Sequence, residues 1–117
     1  MWTFTQHGFI SAVQHFEDHS KIVVRSRDKQ SLEMISNLFD LEVLETPGND
    51  YPFRVIASRD QYTSYLMTEV DLLDYTNFKS RLHVSRGDDF YDAATRVWGV
   101  MHDIEDEDAR MVRGRRR

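Results

Sequence analysis

A chain of 117 residues has the size of one domain, which typically buries about two-thirds of the surface its unfolded form exposes, so one hydrophobic core is expected and two are excluded. Hydrophobic residues make up 40% and charged residues 30% of it, with two Trp, five Tyr and seven Phe, the composition of a globular rather than a disordered chain. The net charge of −5 hides a split, because residues 1–109 hold ten Lys or Arg against all twenty acids, a balance of −10, while residues 110–117 hold five Arg and no acid; an acidic body repels phosphate backbones, which leaves only the tail for nucleic acid.

Taken in chain order, residues 2–5 alternate like a strand and are expected to extend the next one, with Gly8 as a bulge. Residues 9–16 and 21–27 are β-branched or aromatic runs separated by Glu17-Asp18-His19-Ser20, the pattern of a β-hairpin. Asp28 is the expected N-cap of a first amphipathic helix carrying Leu32, Ile35 and Phe39, with Met34 and Leu38 beside them. A second hairpin is predicted from residues 41–46 and 53–57, joined by the dense turn signal Pro47-Gly48-Asn49-Asp50.

Ser58-Arg59-Asp60-Gln61 matches a capping box and predicts a helix over residues 59–73, with Tyr62, Tyr65, Leu66, Val70 and Leu73 on its apolar stripe. The order so far is ββα-ββα. Residues 75–82 read as a short helix, and Ser85-Arg86-Gly87-Asp88 as the start of a final one. Phe90, Tyr91, Ala94, Val97, Trp98, Met101 and Ile104 form the strongest helical stripe in the chain, which predicts that Trp98 faces the core. Beyond residue 104 the sequence is acidic and then Arg-rich, with little to bury, and fraying is expected.

These elements predict an α+β two-layer sandwich over residues 1–104: a four-stranded antiparallel sheet with helices on one face and a C-terminal helix, followed by a tail over residues 105–117. The chain has no cysteine, which removes disulfides and thiolate chemistry and fits a reducing, cytoplasmic setting. Its apolar runs are only a few residues long, and its start lacks a basic flank before an apolar stretch, so neither membrane spanning nor secretion is expected.

Asp50-Tyr51-Pro52-Phe53-Arg54 and Asp74-Tyr75-Thr76-Asn77-Phe78-Lys79 resemble motifs of a family of small bacterial and phage proteins. The likeness extends to Trp2, Phe4, Thr5, Gly8, Phe9, Ser11, Val13, Val24, Arg25, Arg27, Val97 and Trp98, and spans roughly residues 2–103. The resemblance implies a standalone small domain, of the kind a phage encodes as an accessory protein. It implies no activity, because the family carries none that is established, and the Arg-rich end lies outside its pattern.

The candidate ligand site is a group of cations and a phenol: Arg25, Arg27, Tyr51, Arg54 and Lys79. Arg25 and Arg27 share a strand face by the period-2 rule, and Arg54 opens the strand after the turn, so neighbouring strands would gather guanidinium forks suited to phosphate or carboxylate. The commoner role of such arginines is pairing with Asp50 or Asp74 on a wet sheet face. His15 and His19 flank two acids, but a predicted loop does not supply the one-sided geometry of a metal site, and no metal ligand or cofactor is assigned. Arg86-Gly87-Asp88 reads as a helix start.

Without a phosphate loop, nucleophile elbow or diagnostic acid pair, the chain is read as a non-enzymatic module that recognises a protein partner, a second copy of itself included, through the sheet face or an edge strand. Trp2, Phe4, Phe9, Phe16 and Tyr51 are the candidate interface residues. One alternative is a small anionic ligand or nucleotide on the arginine cluster. The other is weak nucleic-acid binding by Arg113, Arg115, Arg116 and Arg117.

Overall fold

Gln6 and His7 alone turn the chain between strands β1 (Trp2–Thr5) and β2 (Gly8–Gln14), so the first stretch is a hairpin of its own rather than one bulged strand. Gly8, at φ 138°, makes the turn possible and pairs with Thr5. β3 (Lys21–Ser26) returns beside β2, and β5 (Phe53–Ser58) beside β3. With β4 (Leu44–Glu45), the sheet of the described residues has five antiparallel strands, ordered β1-β2-β3-β5-β4, where the sequence predicts four.

The computed structural model describes residues 1–115. β4 keeps only Leu44–Glu45 of the predicted residues 41–46, because Leu41 and Val43 turn inward to pack on the core. The bend before them is set by Asp40 in the left-handed region (φ 51°) and by Leu41 N–H donating to the Ser36 carbonyl at 3.0 Å.

Two helices cover one face. A 3₁₀ turn (Gln30–Leu32) leads into α1 (Glu33–Phe39), and α2 (Arg59–Asp71) follows β5 directly. The capping box forms as its sequence predicts: Gln61 N–H donates to Ser58 Oγ at 3.1 Å, and Ser58 N–H to Gln61 Oε1 at 2.9 Å. Asp28 does not cap the first helix. Its carboxylate instead accepts from Ser31 Oγ and Arg86. Between sheet and helices lie Ile10, Ala12, Ile22, Val24, Leu32, Ile35, Val55, Ala57, Tyr62 and Tyr65, all buried. At about 1.5 to 3 kcal/mol for each large apolar side chain, this layer is the main source of stability.

A helical hairpin completes the fold. α3 (Phe78–Arg86) begins where Asn77 Oδ1 accepts from Ser80 N–H at 2.9 Å, three residues later than predicted, and α4 (Asp88–His102) begins at Gly87 (φ 85°), as the Arg-Gly-Asp reading expects. The pair docks on the β1–β2 turn: Arg86 Nη1 donates to the His7 carbonyl at 2.6 Å and Arg81 Nη1 to Gln6 Oε1 at 3.2 Å. Leu82 is buried there, while Phe90 and Ala94 approach Phe4 and Phe9 across a cavity of about 190 Å³.

Trp98 does not face the core. It is 59% exposed, and Val97, Val100, Met101 and Ile104 are exposed with it. Only the first half of α4 approaches the sheet, through Phe90 and Ala94, and the molecule extends over 52 × 30 × 30 Å. A further helix, α5 (Glu107–Arg115), occupies the segment expected to fray, held by Arg113 on the Glu105 carboxylate. No helix among the described residues is long and apolar enough to cross a membrane.

Candidate functional site

The face of the sheet opposite α1 and α2 carries the predicted cluster. Arg25 and Arg54 are cross-strand partners, with Ser11 opposite Arg25 on its other side and Leu44 opposite Arg54. Period-2 alternation therefore sets Trp2, Ser11, Arg25, Arg54 and Leu44 in one row across all five strands. Val13, Val23 and Ile56 form the next row on one side, and Phe4 and Phe9 the row on the other.

Tyr51 anchors the arginines. Its ring centre lies 4.7 Å from the guanidinium carbons of both Arg25 and Arg27, and the residue is only 7% exposed. Each such contact is worth about 0.5 to 2 kcal/mol, more as water is excluded. Arg25 Nη2 also donates to Ser11 Oγ at 2.8 Å, while Arg27 holds Asp50 through its carbonyl at 2.7 Å and its carboxylate at 3.0 Å. Arg54 differs from both, since its Nε is buried and has no hydrogen-bond partner among the described residues. The guanidinium groups of Arg25, Arg27 and Arg54 gathered here are the forks that suit a carboxylate or phosphate.

Lys79 lies on α3, its ammonium 5.0 Å from the ring centre of Trp98 on α4, so it belongs to the helical hairpin. Four of the five predicted ligand residues come together on or beside the sheet face and the fifth pairs elsewhere.

Of the predicted interface aromatics, Trp2 is 71% exposed and Phe16 82%. Phe9 is half-buried, lying 4.6 Å centre to centre from Phe4 in a stack and 5.8 Å from Trp2 edge-on. Phe16 lies on the β2–β3 loop against His15, whose Nδ1 accepts from the Glu17 and Asp18 amides at 3.1 Å each. His15 thereby closes its own loop. Tyr51 is buried, and serves the face by positioning its arginines.

In the tail, Arg113 pairs with Glu105, and Arg110 donates to the carbonyls of His102 and Asp103. The Arg113 contact also holds the Glu105 carboxyl below its ordinary range. The Arg115 side chain, Arg116 and Arg117 lie outside the described residues.

One buried group was not visible in the sequence. Glu69 accepts from Tyr65 Oη at 2.9 Å and from His7 Nδ1 at 2.7 Å. Burial first, and then the Glu69 charge, push the Tyr65 phenol far above its ordinary range. His7 stands 62 residues away in sequence, so no spacing pattern connects it to Glu69.

Glu69 also lies along a groove of about 400 Å³ beside β1, lined by Thr3, Leu66, Val70, Leu73 and Tyr75. Val70 and Leu73, predicted for the apolar stripe of α2, are exposed at this groove rather than buried.

Compared with protein-family models, with curated proteins and with solved structures, the chain matches none.

Proposed function

We propose that the chain is a non-enzymatic protein-interaction module whose recognition surface is the open face of its sheet. The observation that carries this reading is the composition of that face: exposed Trp2, Phe4, Val13 and Ile56 surround Arg25, Arg27, Arg54 and Tyr51. Aromatic side chains and Arg are the types enriched where proteins bind one another, and they dominate the energy when they do. The fitting partner presents a carboxylate toward Arg54 and apolar side chains toward Val13 and Ile56. Such a module suits an accessory protein of phage type that acts on a host protein in the cytoplasm.

Capture of a partner from host lysate tests the reading. Arg54→Ala and Ile56→Glu are expected to abolish capture, and Trp98→Ala to leave it intact. Capture that survives both sheet-face changes overturns it.

The cross-strand pairing of Arg25 with Arg54, beside Arg27 on the shared Tyr51 ring, favours a second reading, a small anionic ligand or nucleotide on the same cluster. A nucleotide that raises the melting temperature of the parent chain but not of Arg54→Ala would support it through linkage of binding to folding. Equal shifts in the two proteins would oppose it.

A further inference from the structure

The two edges of the sheet are built differently. β4 is two residues long, contains Glu45, and is flanked by Glu42 and Pro47, the short, charged and proline-bearing form that keeps an edge from pairing. β1 has none of these protections. It is four residues, Trp2–Thr5, with no charge, no proline and no bulge.

Its pairing pattern shows which backbone groups are free. Thr5 faces Gly8 across the two-residue turn, and Ala12 N–H donates to the Met1 carbonyl at 2.9 Å. Hydrogen-bonded pairs alternate along an antiparallel ladder, so Met1, Thr3 and Thr5 bond inward to β2, and the N–H and C=O of Trp2 and Phe4 point outward. Both layers also end in apolar side chains at this edge. Trp2 and Phe4 lie on the open face, while Met1, Val70 and Leu73 lie along the groove on the helix side, all exposed.

We infer that β1 pairs with β1 of a second copy of this chain, antiparallel about a two-fold axis through Thr3. In that register Trp2 faces Phe4 of the other copy and exchanges both backbone bonds with it, twice over. With the axis at Thr3, both outward residues of the strand find partners within it, whereas an axis at Trp2 or Phe4 would pair only one of them. Side chains agree with the backbone. On the open face each Trp2 meets an aromatic ring, and on the groove side each Met1 falls opposite Thr5, toward Leu73 and Tyr75 of the other copy.

Charge selects the same surface. Residues 1–109 carry a balance of −10, which opposes contact between copies, yet residues 1–16 contain no Asp, Glu, Lys or Arg. The β1–β2 hairpin lies in the longest stretch of the acidic body without a charged side chain, and Glu69 in the adjoining groove is already held by Tyr65 and His7. The product is one continuous sheet with both arginine clusters on the same face. Trp2 and Phe4 are shared with the partner-binding surface proposed above, but Arg25, Arg27 and Arg54 take no part in the pairing, so substitutions at the arginines separate the two readings.

The absence of native cysteine gives a direct test. A non-hydrogen-bonded antiparallel pair sets Cα atoms about 4.5 Å apart, within the range a disulfide bridges. Thr3→Cys is expected to oxidise to a covalent dimer. Thr5→Cys, whose two copies are separated by the register, is expected to stay monomeric under the same oxidant. Light scattering on the parent chain should give twice 13.9 kDa at tens of micromolar, and Trp2→Lys, with an unchanged circular dichroism spectrum, should give the monomer mass. A parent chain monomeric at every concentration overturns the inference, as does a Thr5→Cys crosslink that forms as readily as Thr3→Cys. Arg54→Ala should dimerise like the parent; its failure to do so would equally overturn the separation from the arginine cluster.

Discussion

Gly8 makes room for Arg86. A Cβ on Gly8 would sit 2.6 Å from the Arg86 Nη1 and 2.1 Å from Ser31 Oγ, and φ at this residue is 138°. The Arg86 side chain is 8% exposed, bonded to the Asp28 carboxylate, Ser31 Oγ and the His7 carbonyl, with its guanidinium carbon 3.9 Å from the centre of the Phe90 ring. One side chain thus ties the helical hairpin to both the first turn and the entry to α1.

Gly8→Ala is therefore expected to cost about 3 kcal/mol or more, from backbone strain and overpacking together. Arg86→Met, which leaves the Asp28 carboxylate without its cation, is expected to cost about 2 kcal/mol or more. Urea denaturation measures both. Hydrogen exchange should show α3 and α4 losing protection before the sheet does in Arg86→Met. A change within about 0.5 kcal/mol for Gly8→Ala would contradict the contact geometry.

Leu82 and Trp98 invert what their residue types suggest. Leu82, in an unremarkable stretch of sequence, is 1% exposed, whereas Trp98, the most prominent residue of the strongest stripe, is largely in solvent. Leu82→Ala is expected to lower stability by about 2 to 5 kcal/mol, and Trp98→Ala by less than about 1 kcal/mol. Comparable losses for the two substitutions would mean that α4 lies against the core after all.

That inversion marks where the sequence stopped being legible. The β2–β3 hairpin and α2 follow from local rules, strand alternation and a capping box whose donor and acceptor lie three residues apart. Helical periodicity gives the direction of an apolar face but not the surface it meets, so the stripe of α4 points to a core that only half of the helix reaches. A glycine in a strand signals a bulge and a turn alike, so the sequence does not separate β1 from β2. At the site, the Arg25 to Arg54 pairing follows once two strands are neighbours. Lys79 fell outside the cluster because its helix belongs to the hairpin, and the Glu69 group, joined across 62 residues, leaves no local trace.

The Tyr51 contacts are expected to be cooperative. Tyr51→Leu retains apolar burial and deletes the ring that Arg25 and Arg27 share. A double-mutant cycle of Tyr51→Leu with Arg25→Met should return a coupling of about 0.5 to 2 kcal/mol. Additive losses would mean that the two side chains are adjacent without interacting.

Alkaline pH should act on stability through Tyr65. Burial and the neighbouring Glu69 charge raise its ionisation well above that of an ordinary phenol, and burial raises that of Tyr62 as well. The unfolded chain ionises these rings near pH 10, so above that value the folded state holds protons that the unfolded state has lost, and stability falls as pH rises. Full stability is present below about pH 10. Denaturation midpoints should hold from pH 8 to about pH 10 and decline above it, and Tyr65→Phe should flatten that decline. At neutral pH the same substitution should cost about 1 to 3 kcal/mol, because Glu69 Oε2 loses its buried donor. Parallel alkaline slopes in the two proteins would show that the phenol is not the group responsible.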